Sequence, residues 1–378
     1  MIRRCHFARG AARLMTVRRV LSMIVLAAVW TAMPAGSGRT LEDTGTFSIV
    51  ALDRETGEVG VAVQSRVFGV GPRVAWVLGG SGAVATQALS NESFGPEGLR
   101  LMAAGLTAQE TLDWLLARDE GRDNRQVGVV DAQGGVATWT GPGCSAWAGH
   151  EAGGAFTCQG NILAGEAVVA DMAAAYERTR GQELARRLLA ALEAAQAAGG
   201  DRRGQQSAAI LIGRRHPDFP EYAKRYVDIR VEDHVQPIGE LRRLYEIYEA
   251  QGLVQAHLRF ADWLESDGRR EAARRERERV GQVMVRALET NVRDAGMLNS
   301  LAWFAAIHEI YLEDALKAAK RAVRLEPQNT NILDTLAEVY YRLGHRERAI
   351  EVESRALQLA PEDEYLEEQL ERFRRGRP

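Results

Sequence analysis

Short runs of apolar and β-branched residues define the first folded part of the chain. Two of them, residues 46–53 and 59–66, are joined by a polar loop that contains Thr-Gly, as in an antiparallel hairpin. Two further apolar runs follow at residues 73–78 and 83–89, each close behind Gly or Pro. Four short runs so near to each other predict a β-sheet.

The spacing of apolar residues then changes along the chain. Between residues 96 and 117 leucine and methionine recur every three or four positions, which predicts two helices, and Thr107 with Glu110 forms a capping-box pattern. Strands and helices continue to alternate: strands are predicted at 125–130, 135–140 and 155–159, one or two helices at 164–198, and strands at 207–212 and 225–231. This order predicts two sheets between helical layers.

From Pro237 the pattern is helical to the end of the chain. Four residues recur at a spacing of 34: Ala315, Ala322, Leu325 and Pro327 align with Ala349, Ala356, Leu359 and Pro361. This period, with small residues at fixed places and a closing proline, resembles the tetratricopeptide repeat, in which antiparallel helix pairs stack. Two clear repeats, at about 297–362, are fewer than a free-standing solenoid needs. We therefore expect the tail to pack on the first domain or on helices from 238–290.

Composition and charge narrow the classes of function. The chain of 378 residues carries a net charge of −3, so nucleic acid is not an expected partner. An apolar fraction of 46% and a charged fraction of 26% are typical of a soluble globular protein. The length predicts two folded units and a leader.

The N-terminus has the pattern of a secretory signal. Arg18-Arg19 precede an apolar run from Val20 to Trp30, and small residues follow. We expect a signal peptide over residues 1–37, a tether over 38–45, and export to the periplasm or the medium without a membrane span after signal removal. The alternative is an uncleaved membrane anchor, although the run is short for one.

The two cysteines outside the leader permit two interpretations. Cys144 and Cys158 are 14 residues apart in a chain predicted to be exported, where a disulfide can form. They either pair across a hairpin or remain as two buried free thiols. Spacing alone does not decide between these alternatives, because it does not fix the distance between the two Cβ atoms.

Several short motifs between residues 46 and 204 occur in a characteristic order. Together they resemble the bacterial domain-of-unknown-function family numbered 1028, whose fold resembles that of the N-terminal-nucleophile (Ntn) hydrolases. The resemblance covers residues 46–235 and implies an α+β fold, a four-layer αββα sandwich, followed by the all-α tail at 236–378. The motifs are Thr-Phe-Ser-Ile-Val-Ala (46–51), Gly-Val-Ala-Val-Gln-Ser-Arg (60–66), Gly-Ala-Val-Ala-Thr-Gln-Ala (82–88), Gly-Pro-Glu-Gly-Leu (95–99), Arg-Gln-Val-Gly-Val-Val-Asp (125–131), Trp-Ala-Gly-His (147–150), Gln-Gly-Asn (159–161) and Gly-Gly-Asp-Arg-Arg-Gly (199–204).

The resemblance implies a nucleophile at the start of the first strand. Ntn hydrolases use a Thr, Ser or Cys side chain at the mature N-terminus, with the α-amino group as base. Thr46 is the first candidate and Ser48 the second. Thr46 requires cleavage after Gly45, in addition to a signal-peptidase cut expected after Ala35 or Ser37. The alternative is that both hydroxyl residues are ordinary strand residues.

Supporting groups are expected from later motifs. Arg66 or Asp201 would orient the reacting groups, and Thr86, Gln87 or Asn161 would stabilise an oxyanion. Each has a structural alternative: a surface cation, a turn-closing side chain, or an aspartate paired with a neighbouring arginine.

His150 is either an acid or base or a structural histidine. No second His or Cys stands at metal-ligand spacing, and the Gly-rich segment 79–82 lacks the pattern of a phosphate loop. We therefore expect no metal and no cofactor.

Two functions from different classes remain. The first is an exported Ntn-type amide hydrolase that acts on a small amide or peptide with Thr46. The alternative is a non-catalytic binding module of the cell envelope, whose repeat tail recruits a protein partner. A mature chain that begins at Thr46 would favour the enzyme, and one that begins near Gly36 or Gly38 would favour the binding module.

Overall fold

The computed structural model describes residues 45–215, 225–266, 268–289 and 293–376. The predicted leader and all of the predicted tether except Gly45 lie outside these residues. The first domain consists of β1 (Thr46–Asp53), β2 (Glu58–Ser65), α1 (Val70–Val74), β3 (Ala75–Leu78), β4 (Gly82–Ala88), α2 (Phe94–Ala103), α3 (Ala108–Leu116), β5 (Arg125–Asp131), β6 (Val136–Thr140), β7 (Gly149–Ala152), β8 (Phe156–Asn161), α4 (Ala167–Arg178), α5 (Leu184–Ala197), β9 (Ser207–Gly213) and β10 (Arg225–Val231).

Two antiparallel sheets form the centre of this domain. The larger has the order β10-β9-β2-β1-β8-β7 and the smaller the order β3-β4-β5-β6. Helices α4 and α5 cover the outer face of the larger sheet, and α2 and α3 cover the outer face of the smaller one. Valines and alanines fill the space between the sheets. The predicted αββα sandwich is confirmed.

Two local predictions were wrong. The segment before β3 was expected to be a loop followed by a strand from Arg73, but Val70–Val74 is a short helix and the strand begins at Ala75. Strand β7 was not predicted, because Gly-His-Glu-Ala has neither apolar alternation nor β-branched residues. It forms through pairing with β8 at the edge of the larger sheet, which is a tertiary effect.

The tail is entirely helical in its described residues. Its helices are α6 (Pro237–Tyr248), continued by a π-helical segment (Glu249–Leu253), α7 (Val254–Ser266), α8 (Arg270–Glu289), α9 (Ala295–Ile307), α10 (Leu312–Leu325), α11 (Thr330–Arg342), α12 (Arg346–Leu359) and α13 (Glu364–Arg375). Asn329 and Asp363 cap α11 and α13 with their side chains. Fully buried alanines, among them Ala315 and Ala349, let neighbouring helices approach closely.

Buried ion pairs join the tail to the first domain. Arg214, which follows β9, contacts Glu58 of β2 and, at 3.2 Å, Glu276 of α8. Arg279 of α8 lies 3.5 Å from Glu58. The expected packing of the tail on the first domain is therefore present, with charged as well as apolar contacts. No helix among the described residues is both long and apolar enough to cross a membrane.

Candidate functional site

Thr46 is the first residue of the central strand β1. It pairs with Ser65 of β2 on one side and with Asn161 of β8 on the other. Its side chain is buried, with 2% of the residue exposed, and Oγ1 donates a hydrogen bond to Ser65 Oγ at 3.0 Å. The residue therefore lies among polar neighbours at the end of the larger sheet.

The carbonyl of Gly45, directly before Thr46, accepts two hydrogen bonds. One comes from the hydroxyl of Ser65 and the other from the guanidinium of Arg203 at 2.8 Å. A Cβ atom on residue 45 would lie 2.7 Å from Oδ1 of Asp201, so only glycine fits beneath this carboxylate. The peptide bond before Thr46 is thus held with its carbonyl polarised by a hydroxyl and a cation.

Asp201 positions Arg203 against this carbonyl. Its carboxylate accepts hydrogen bonds from Arg203 Nε at 3.1 Å and from Arg203 NH2 at 2.7 Å, and it also accepts the backbone N–H of Arg203 at 2.9 Å. The backbone N–H of Arg66 donates to Oδ2 of the same carboxylate at 3.1 Å. The side chain of Arg66 bonds Gln206 instead, so its guanidinium does not reach Asp201.

Ser48 belongs to a layer of hydrogen bonds between the two sheets. Its hydroxyl donates to Gln87 Oε1 at 2.6 Å and accepts from Gln159 Nε2 at 2.6 Å. The hydroxyl is fully buried and both of its hydrogen-bonding roles are occupied. This arrangement leaves Thr46 as the hydroxyl of β1 that adjoins the polarised peptide bond.

Gln126 forms the centre of the same layer. Its Nε2 donates to the carbonyl of Gly160 at 2.8 Å, and its Oε1 accepts from Gln87 at 2.8 Å and from Asn161 at 3.0 Å. Nε2 of Gln87 also donates to the carbonyl of Thr46 at 3.3 Å. The amides of Gln87 and Asn161 therefore fix the backbone around Thr46, and their N–H groups are already bonded within the layer.

Thr86 is directed away from Thr46. Neighbouring residues of a strand face opposite sides of the sheet, and Gln87 faces the space between the sheets. The hydroxyl of Thr86 closes a turn by donating to the carbonyl of Asn91 at 3.2 Å. The structure thus brings Thr46, Gln87, Asn161 and the carboxylate of Asp201 together, and places Thr86 and the Arg66 guanidinium elsewhere.

Strained backbone flanks the site. Ala88, directly after Gln87, has a φ of 67°, and Ile162, directly after Asn161, has a φ of 54°. Residues with a side chain rarely adopt this left-handed region, and such strain is concentrated at functional sites. Both strands that contribute amides to the layer end in this way.

A narrow recess opens beside Thr46. Its volume of about 10 Å³ is about that of one water molecule. Its apolar wall consists of three valines and an alanine, and polar side chains form the remainder: Val67, Val70, Val74, Ala88, Arg73, Gln87 and Ser90. A molecule larger than water would need this wall to move.

The other predicted chemical groups lie outside this centre. His150 Nδ1 is 2.8 Å from Thr140 Oγ1, and burial lowers the pKa of its imidazole. Cys144 and Cys158 are both free, as the free-thiol alternative states, but only Cys158 is buried and Cys144 is half-buried. Burial raises the pKa of each thiol. The described residues contain no cluster of three or more His, Cys, Asp or Glu suited to a metal ion.

Sequence reasoning did not select three residues of the site: Ser65, Gln126 and Arg203. The hairpin pattern contained the signal for Ser65, because a turn at residues 54–57 places 46 opposite 65. Arg203 was considered only as a partner of Asp201. Nothing in the pattern of β5 shows that Gln126 lies between two sheets.

Comparison with known proteins places the first domain in a family. The model of a family of unknown function, DUF1028, matches residues 46–241. The chain belongs to this family. A solved DUF1028 structure, that of a protein from Silicibacter pomeroyi, is 33% identical over 54% of this chain and 86% of its own length, with a TM-score of 0.49. No curated protein matches.

Tetratricopeptide domains are similar to the tail. The Sgt2 domain of Aspergillus fumigatus is 19% identical over 30% of this chain and 77% of its own, with a TM-score of 0.24. The first such domain of Spaghetti (RPAP3), solved with an HSP90 peptide, is 14% identical over 32% of this chain and 90% of its own, with a TM-score of 0.23. Within the tail itself, α10 and α12 begin 34 residues apart, at Leu312 and Arg346, as the period of the sequence predicted.

Proposed function

We propose that this DUF1028 protein is an exported amide hydrolase of the Ntn type, with Thr46 as nucleophile. The observation that supports this best is the environment of the Gly45–Thr46 peptide bond, whose carbonyl accepts from Ser65 and Arg203. Two donors on one carbonyl, beside a hydroxyl residue that follows it, are what cleavage of that bond requires.

The chain would release its own nucleophile. Thr46 Oγ1 attacks the Gly45 carbonyl carbon, and its proton passes towards the leaving nitrogen through Ser65 Oγ, which accepts from it at 3.0 Å. The C–N bond breaks, and an ester between Gly45 and the Thr46 side chain remains. The α-amino group of Thr46 is free from this point. Water hydrolyses the ester to give the Gly45 carboxylate and the Thr46 hydroxyl, and the amino group then acts as the base.

Cleavage would also create the place for a substrate. When the new C-terminus departs, the donors that held the Gly45 carbonyl are free to bind the carbonyl of an incoming amide. Asp201 keeps Arg203 in position, because its carboxylate bonds both Nε and NH2. The same groups thus serve first for self-cleavage and then for turnover, with the amide layer holding the Thr46 backbone.

The test is the N-terminus of the exported protein. Wild-type full-length chain is expressed with its leader, and N-terminal sequencing and intact-mass analysis are expected to find Thr46 first. Thr46→Ala is expected to abolish this cut. Arg203→Gln is expected to slow it by about 100-fold, the usual effect of losing one oxyanion donor. Arg202→Gln is the matched control, because Arg202 instead donates to the carbonyl of Ala146 at 2.8 Å.

The competing function is a binding module without catalysis. The buried state of Thr46 and the one-water recess favour it, because neither admits a substrate as they stand. In that case the repeat tail would recruit a protein partner through the surface that stacked helix pairs provide. A mature chain that begins before Gly45, and that a β-lactone probe does not label at Thr46, would establish this alternative and refute the hydrolase.

A further inference from the structure

A cavity lies between the first domain and the tail, away from Thr46. It has a volume of about 770 Å³, within the range of sites for small organic molecules. One wall comes from the β1–β2 turn and from α4 and α5, and the other from α7 and α8. Arginines outnumber carboxylates among its described lining residues, which gives the cavity a positive character.

Arg187, in the first turn of α5, lines this cavity and is 8% exposed. Its guanidinium stacks on the ring of Tyr176 at 3.8 Å and donates a long hydrogen bond, 3.4 Å, to the Tyr176 carbonyl. Within the described part of the chain no carboxylate lies within ion-pairing distance, and Nε has no acceptor. A buried cation normally has an anionic partner in contact with it. Asp53 acts on Arg187 only from beyond ion-pairing distance, so the position next to the guanidinium is open to a ligand.

Tyr176 supplies a second donor in the same wall. The residue is 2% exposed, and its hydroxyl bonds no other described group. Burial raises the pKa of this hydroxyl, so it stays protonated and can donate. Arg187 Nε and the Tyr176 hydroxyl, which share one cavity wall and have no acceptor among the described residues, match the oxygens of an anionic group.

The remaining lining indicates what else such a ligand carries. Phe156, Phe260 and Leu264 line the cavity and offer apolar surface. On the tail side, Arg269 and Arg275 are exposed and form no ion pair with any described residue. Asp53, the nearest competing anion in the lining, already accepts the backbone N–H groups of its own turn at 2.9 and 3.3 Å.

We propose that this cavity binds an organic carboxylate with an apolar body: the carboxylate lies on Arg187 and Tyr176, and the body lies against Phe260 and Leu264. The site is independent of Thr46. Because one wall belongs to each part of the molecule, bound ligand would hold the tail against the first domain.

The experiment is thermal unfolding of the full-length protein with a series of probes. Phenylacetate and straight-chain carboxylates from acetate to decanoate are compared with phenylacetamide, which has the same body without the charge, and with inorganic phosphate. We expect Tm to rise by about 3 °C at 10 mM phenylacetate or octanoate, as binding to the folded state alone requires for millimolar affinity. Acetate, phosphate and phenylacetamide are expected to produce no shift.

Variants assign the effect to the cavity. Arg187→Gln is expected to abolish the shift, while Arg178→Gln, on the exposed side of α4, keeps it. Tyr176→Phe removes only a hydroxyl without a partner, and Arg275→Gln only an exposed cation; both should fold normally and reduce the shift at least twofold. Thr46→Ala should bind as wild type does.

Three results would each overturn the proposal: no carboxylate raises Tm, phosphate or the neutral amide raises it equally, or Tyr176→Phe and Arg275→Gln both respond as wild type does.

Discussion

Two buried polar clusters hold this molecule together in opposite ways. Between the sheets, Ser48, Gln87, Gln126 and Gln159 form a layer of neutral groups that satisfy one another at 2.6 to 2.8 Å. Between the first domain and the tail, the buried groups are ions. The first arrangement costs little desolvation and is insensitive to charge, whereas the second depends on every partner remaining ionised.

The charged cluster illustrates this dependence at Glu276. Burial alone would raise the pKa of this carboxyl, but Arg214 and then His257 more than offset it and lower the pKa to about 2. His257 Nδ1 lies 2.8 Å from the carboxylate. Neutral amides therefore position Thr46 in the first domain, whereas ion pairs connect the first domain to the tail. Removing one charge from these ion pairs leaves the opposite charges buried without a partner.

Removal of Arg214 should have the largest effect on stability. Arg214→Met keeps apolar contact with the rings of Tyr226 and Phe260 but leaves Glu58 and Glu276 short of a cation. We expect a loss of about 4 kcal/mol in the free energy of unfolding, measured by urea denaturation. Arg230→Met, which removes a partly exposed pair with Asp228, should cost under about 1 kcal/mol.

A double variant tells whether charge is the cause. Arg214→Met with Glu58→Gln should recover part of the lost stability, because one stranded carboxylate is neutralised. If the double variant is no more stable than Arg214→Met alone, the joint is held by packing and the contrast between the two clusters fails.

A substitution at Gln126 should disrupt the neutral layer. Gln126→Leu removes the donor to the carbonyl of Gly160 and the acceptor that the amides of Gln87 and Asn161 share, so we expect a loss of about 3 kcal/mol in the free energy of unfolding. Because no member of the layer titrates, this loss should be the same at pH 5.5 and pH 9 in denaturation experiments. Gln109→Leu, on the exposed face of α3, should change the free energy of unfolding by less than about 0.5 kcal/mol. A loss that varies with pH would contradict the neutral description.

A third buried polar cluster lies in the tail and differs from the other two, because its carboxyl groups have few cationic partners. Glu353 of α12 is fully buried, and neither carboxylate oxygen has a hydrogen-bond partner among the described residues. Burial, and then the nearby Asp334, raise the pKa of Glu353 to about 8. Arg372 lowers this pKa but does not outweigh those effects.

The raised pKa fixes the direction of the pH effect. The unfolded carboxyl, with a pKa of 4.5, loses its proton first, so wild-type stability should fall as pH rises from about 4.5 to about 8. Glu353→Gln should reduce this slope and gain about 2 kcal/mol at pH 8.5. A smaller slope of the same sign should remain, because burial also raises the pKa of Asp334, to about 7. Equal stability of the two proteins at pH 8.5 would show that Glu353 is solvated.

Most of the helices and strands could be predicted from the sequence pattern. The apolar and β-branched runs of β1 and β2, the capping box at Thr107 and the 34-residue spacing of alanines each express a local rule. The strands and helices that they predict are present. The exceptions arose where tertiary contacts decide the conformation. Strand β7 exists only because β8 pairs with it, and α1 replaces the start of a predicted strand.

The site was less predictable than the fold. Ser48 and Gln159 bond one another across neighbouring strands, and Arg203 reaches Gly45 from far along the chain, which no local pattern reveals. Hydrophobic periodicity places a side chain on a face of a strand, but not opposite a particular partner on another sheet. The roles of Arg66 and Thr86 depended on such partners.

The pairing of Thr46 has a consequence for maturation. Thr46 is the first residue of β1 that pairs with β2 and also the first that pairs with β8. A chain break immediately before Thr46 would therefore remove no residue pair between β1 and either neighbouring strand. The sheet would keep all its strands and its register after cleavage. Shedding the preceding segment is compatible with a finished fold, so the protein could complete folding first and be cut afterwards.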